Sequence, residues 1–92
     1  MELDENNEKI SLSEYINLLD IFKFQIKDKV IFRELAKNID TEDTNPIFRR
    51  ICRKLVMLNI FKYVETIGKS NFYKINYNKL EDFIRQQYIY QR

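Results

Sequence analysis

Residues 45–77, NPIFRRICRKLVMLNIFKYVETIGKSNFYKINY, constrain this chain more than any other stretch. They hold its only proline, Pro46, and its only glycine, Gly68. Asn45 can cap a helix with its side-chain oxygen. Pro46 then takes the first helical position, where a missing N–H costs nothing. Ile47, Ile51, Leu55 and Leu58 recur at helical spacing, and Phe48 and Cys52 widen the row. Arg49, Arg50, Arg53 and Met57 fall on the opposite face, with Lys54 at its edge. The spacing predicts a helix over about 46–58, ended by Asn59, a residue that tolerates the left-handed conformation past a helix. Two β-rich runs follow, within 61–77, around the turn Gly68-Lys69-Ser70. They predict a hairpin.

Charge sets this stretch apart. Residues 46–79 carry eight Lys/Arg and one acidic residue, Glu65, a balance of +7. Residues 1–44 carry six Lys/Arg against eleven Asp/Glu, a balance of −5. The net +2 of the whole chain hides this division. A clustered basic surface attracts polyanions. The alternative is that the charges only solvate the outside of a helix.

The rest of the chain divides simply. Residues 1–10 are polar, acidic and without periodicity, and are expected to form a flexible acidic tail. Ser11 with Glu14 fits a capping box, in which each side chain satisfies the other residue's backbone N–H. A first helix follows to Phe22 or Phe24, with Leu12, Tyr15, Ile16, Leu19 and Phe22 on one face and Ile21 and Phe24 away from it. Val30-Ile31 reads as an edge-strand fragment, and Phe32 to Asn38 as a short helix with Leu35 and Ala36 inward. Residues 40–44, DTEDT, form a turn rich in local side-chain hydrogen bonds. Asn78 with Glu81 suggests a cap for a last helix over about 79–90, its apolar face built from Leu80, Phe83, Ile84 and Tyr88.

Ninety-two residues make one small domain, here residues 11–92, of α+β class and mostly α. A core this thin is often supplemented by dimerisation. No apolar run reaches the roughly 18 residues of a membrane span, and no basic-then-apolar start marks a signal peptide. An intracellular protein is expected. With one cysteine and no histidine, neither an internal disulfide nor a Cys/His metal set is available. No glycine-rich phosphate loop is present and no general-base histidine, so the chain does not read as an enzyme. No cofactor or small-molecule ligand set is evident.

Three places in this order resemble the winged helix-turn-helix family of DNA-binding proteins. Ile31-Phe32-Arg33-Glu34-Leu35-Ala36 looks like the start of that family's second helix. Cys52, Leu55, Leu58, Asn59, Ile60 and Phe61 look like the end of its third, with Asn59 where glycine is usual. Gly68-Lys69-Ser70-Asn71-Phe72-Tyr73-Lys74-Ile75 looks like its wing. Size and composition are also similar to the small winged-helix proteins of viruses and plasmids of thermophilic archaea. The inter-helix turn departs from the pattern, being longer and carrying Asp40, Glu42 and Asp43.

The resemblance implies a three-helix core, a hairpin wing and a C-terminal helix. It implies sequence-specific binding of double-stranded DNA by a transcriptional regulator, more simply a repressor than an activator. The third helix would enter the major groove and the wing would touch backbone or minor groove. Carried onto this chain, Arg49, Arg50 and Arg53 are the base or phosphate readers, with Lys54 and Lys62 on phosphates. Lys69, Ser70 and Asn71 are wing contacts, and Asn45 is either a phosphate contact or only a cap. Family members often pair through their first and last helices, which implies a homodimer through Ile21, Phe24, Phe83, Tyr88, Ile89 and Tyr90. The alternative is a winged-helix module that binds protein and not DNA.

Overall fold

The computed structural model describes residues 10–91, with side chains through Gln87. Residues 1–9 of the expected tail, and the side chains of Tyr88, Ile89 and Tyr90, lie outside those described. The chain runs α1 (Leu12–Phe24), α2 (Phe32–Asn38), α3 (Pro46–Met57), β1 (Phe61–Ile67), β2 (Ser70–Ile75) and α4 (Tyr77–Gln91). It is α+β and mostly helical, with four helices and one antiparallel hairpin among the described residues. None of these helices is long and apolar enough to cross a membrane.

The α1 helix begins as the capping box requires: the Glu14 N–H donates to Ser11 Oγ at 3.1 Å, and the Ser11 N–H donates to Glu14 Oε1 at 2.8 Å. Its buried face, however, is Glu14, Leu18 and Ile21, with Tyr15 and Phe22 half-buried beside the core. Leu12, Ile16 and Leu19 of the expected apolar face are exposed, Leu12 by 64%. Apolar residues occur on nearly every side of this helix, so periodicity alone does not select the inner face; packing against α2, α3 and α4 does. Ile21 is therefore a core residue and not a surface available to a partner. Phe24 is exposed. Ile10, placed with the tail by its polar neighbours, is itself buried.

The α2 helix covers the expected residues, with Leu35, Ala36 and Ile39 buried. Its cap, Ile31, makes no side-chain hydrogen bond. The α3 helix buries Phe48, Ile51, Cys52 and Leu55, leaves Ile47 half-buried, and ends before Asn59, whose φ of 65° is the expected left-handed conformation. Leu58 is partly exposed at the end of the row. Burial pushes the Cys52 thiol well above the usual thiol range.

The hairpin turns on Gly68 and Lys69, with φ +64° at the glycine. That angle suits the first central position of a type II′ turn. From the turn, Ile67 pairs with Ser70, Thr66 with Asn71 and Glu65 with Phe72. A bulge then leaves Val64 unpaired, and Tyr63 faces Tyr73, Lys62 faces Lys74, and Phe61 faces Ile75. Without the bulge, the pleat would place Phe61 on the outward face; the extra residue reverses it into the core, where it is 2% exposed. Val30 adds a third rung beside β2, exchanging two backbone hydrogen bonds of 2.9 Å with Tyr73.

The last helix starts two residues earlier than its sequence suggests. Asn76, not Asn78, caps it: Asn76 Oδ1 accepts the Lys79 N–H at 3.1 Å and the Asn76 carbonyl accepts that of Leu80 at 2.9 Å. Tyr77 thus leaves the strand, and its hydroxyl accepts the Ile26 N–H at 2.6 Å. Burial raises the Tyr77 phenol above its ordinary range, partly offset by that bond. Leu80 and Phe83 are buried. Phe83 is thus committed to the protomer's own core and is no surface for a partner.

Candidate nucleic-acid interface

The outer face of α3 is set by the cap at its start and by the buried residues behind it. At its start, Asn45 Oδ1 accepts the N–H groups of Ile47 at 2.8 Å and Phe48 at 3.4 Å. Asn45 Nδ2 donates to Thr41 Oγ1 at 3.4 Å. Asn45 therefore acts as the cap of α3. Along the helix, the four buried residues turn the three arginines outward. Arg49 and Arg53 lie one turn apart, about 6 Å along the axis. Among the described residues neither meets a carboxylate at ion-pair distance.

Arg50 differs from its neighbours. Its Nη1 lies 3.6 Å from Glu14 Oε2, and the two side chains are 61% and 6% exposed. Glu14 Oε2 is buried with no hydrogen-bond partner among the described residues. An isolated buried carboxylate is costly, so Arg50 offsets a charge that the capping box draws inside. It joins α3 to the start of α1 and is only partly available as a reader.

Two depressions flank the arginine pair. One, of about 270 Å³, is lined by Arg49, Arg50 and Arg53 with Thr44 and Pro46. The other, of about 370 Å³, lies toward α2 and the hairpin, where Phe32, Val56 and Tyr73 meet Arg49, Arg53 and Asp43. Phe32 and Tyr73 stack there with centroids 4.8 Å apart and planes 6° from parallel. The acidic turn is thus not wholly turned away: Asp43 shares the depression with the arginines.

The remaining candidates scatter over the edge of α3 and the hairpin. Lys54 is half-buried at the α3 edge and Lys69 is exposed at the turn, beside a half-buried Ser70. Asn71 is tied into a chain on the helix-facing side, in which Thr66 Oγ1 donates to Asn71 Oδ1 at 2.7 Å and Tyr63 lies 2.6 Å from Thr66. Because the threonine proton goes to Asn71, Tyr63 is the donor to Thr66. Lys62 points outward, opposite Lys74. Further along that outward face, Lys29 pairs with Glu65 at 3.0 Å and lies 5.7 Å from the Phe72 ring centroid. The hydrogen bond to Glu65, and then its charge, raise the Lys29 pKa. The structure therefore brings Arg49, Arg53, Tyr73 and Asp43 together on one side of the hairpin, and places Lys62 on the other.

Helical spacing and family resemblance do not single out Phe32 as a surface group of this face, nor Lys74 as the partner of Lys62 on the other. Counting back from the turn would set Lys62 opposite Ile75; only the bulge sets it opposite Lys74, and the bulge has no signal in the sequence. Met57, on the arginine side of α3, is 82% exposed. No protein family, characterised protein or solved structure matches this chain.

Proposed function

We propose that this protein is a winged-helix regulator that binds double-stranded DNA sequence-selectively, with α3 in the major groove and the hairpin along the backbone or minor groove. The observation that carries the reading is the pair Arg49 and Arg53, exposed on one capped helix beside a hairpin and within a segment of charge +7. An arginine can pair bidentately with guanine O6 and N7, which discriminates by roughly 1–3 kcal/mol per contact. Lys54 and Lys69 supply phosphate contacts, while Lys62 faces the other side of the hairpin. Occupying a promoter is enough to repress transcription and needs no catalysis.

The protein pairs with a second copy through α1, where Leu12, Ile16, Leu19 and Phe24 are exposed. Ile21 and Phe83 have no part in that surface. A duplex site with two-fold symmetry matches such a dimer.

One observation favours the second reading, a winged-helix module for a protein partner. Asp43 lies with Arg49 and Arg53, and mixed charge suits a protein surface better than phosphates.

Binding to random-sequence duplex at low and physiological salt separates the two, using wild type beside Arg49→Ala/Arg53→Ala. The DNA reading expects a salt slope that falls by about 1 for each phosphate that the double variant leaves without its arginine. No binding by wild type even at low salt would sink it and leave the protein-partner reading.

A further inference from the structure

We propose that the depression between α3, α2 and the hairpin is a binding site for a guanine base that carries a phosphate. The inference stands beside the duplex reading and does not rest on it. A duplex needs only the outer ridge of α3, whereas this site needs the hollow behind it. Its space of about 370 Å³ is sufficient for a nucleotide-sized ligand.

The lining has the chemistry of one base. Phe32 and Tyr73 form a parallel pair, each half-buried, so the hollow has an aromatic wall. Unpaired bases stack on such rings. Guanine presents two kinds of edge: N7 and O6 accept, while N1–H and the N2 amino group donate. Arg49 or Arg53 matches the accepting edge. The carboxylate of Asp43, which only accepts when ionised, matches the donating edge. Adenine would turn its unprotonated N1 toward that carboxylate, lone pair against lone pair. The carboxylate that is unwelcome beside a duplex phosphate thus becomes the group that selects the base. The second depression takes the phosphate: Arg49 and Arg53 border both, and Arg50 and Thr44 complete the second. Base and phosphate would occupy adjoining hollows with the arginine pair between them.

These residues come from four separate places: Phe32 opens α2, Asp43 lies in the turn, Arg49 and Arg53 are on α3, and Tyr73 is in β2. No local motif announces them.

The test is calorimetric titration of the full chain at low salt with guanosine monophosphate, adenosine monophosphate and inorganic phosphate, repeated on Asp43→Ala. Asp43 is exposed in a turn, so the variant is expected to fold, which circular dichroism checks. Wild type is expected to prefer the guanine nucleotide over the adenine one by about tenfold or more, the worth of a hydrogen-bonded charged group. Asp43→Ala should lose that preference, since the group that accepts from the guanine edge has gone. The base preference is read without any duplex, which keeps this proposal distinct from the duplex reading. Equal binding of both nucleotides by wild type, or a guanine preference that survives Asp43→Ala, overturns it. So does the absence of any guanine-dependent binding. A final arm identifies the source of the base. If a guanine-bearing single strand binds with the same Asp43 dependence and the free nucleotide does not, the ligand is a strand; the reverse assigns a free nucleotide.

Discussion

Replacing Arg50 by alanine should separate it from Arg49 and Arg53, although all three share a helix face. Glu14 is 6% exposed, its Oε1 is held by the Ser11 N–H, and Arg50 is the cation 3.6 Å from its Oε2. Breaking one side of a fully buried pair costs roughly 3–5 kcal/mol, because a bare charge remains inside. An exposed pair is worth under about 1 kcal/mol. Here the carboxylate is buried but the arginine is 61% exposed, and the separation is at the long end of an ion pair. Solvent screening of the arginine places Arg50→Ala between the limits, at about 1–2 kcal/mol. A domain this small should lose about 4–8 °C in Tm for each kcal/mol. Arg49→Ala and Arg53→Ala, which break no ion pair among the described residues, should stay within about 0.5 kcal/mol of wild type. Urea and thermal unfolding measure all three. A double-mutant cycle with Glu14→Gln isolates the pair, since glutamine keeps the capping box while removing the charge. In that background Arg50→Ala should cost little. If Arg50→Ala unfolds no earlier than Arg49→Ala, or costs as much in the Glu14→Gln background as in wild type, the account of Arg50 as a compensating charge is wrong.

Three further outcomes are expected. Leu19→Glu should shift sedimentation toward monomer with Tm nearly unchanged, whereas Ile21→Glu should unfold the protein; a Leu19→Glu protein that still sediments as a dimer removes α1 from the interface. Gly68→Ala should cost about 1 kcal/mol, all of it from the positive φ, because an added Cβ would meet nothing within 4 Å; a much larger loss in urea unfolding would mean that the turn is packed. Cys52, buried and held as a neutral thiol, should react with a thiol reagent at neutral pH only as fast as the protein opens, and fast modification of the native protein would contradict its place in the core.

The central stretch is legible in the sequence because its signals are local and few. Asn45 and Pro46 mark a helix start, Asn59 takes the left-handed conformation that ends it, and Gly68 makes the turn. Each depends on a residue's own backbone preference, which needs no knowledge of the rest of the fold. The inner face of α1 is not legible in this way. Leu12, Tyr15, Ile16, Leu18, Leu19, Ile21 and Phe22 surround most of the helix, and the face chosen is the one where Glu14 meets Arg50. Two asparagines, Asn76 and Asn78, could each cap α4, and only the packing of Tyr77 against Phe22 and Ile26 chooses between them. The arginine face is readable from helical spacing. Its division into one tethered and two outward cations is not, because the tether comes from Glu14, on a different helix. The hollow beside it needs four separated segments to converge.

The Val30 rung has a mechanical meaning. Tyr73 is fastened to the strand fragment that leads into α2, and Lys29 reaches past it to Glu65 on the far strand. These ties secure the hairpin from its base to roughly half its length. What extends freely is a short cantilever, Thr66 to Asn71, itself stiffened across its width by the Thr66–Asn71 hydrogen bond. Such an arm has little room to swing about its root. A partner surface would have to be bent or tilted to reach Lys69, and the work of that deformation would fall on the partner, not on the hairpin.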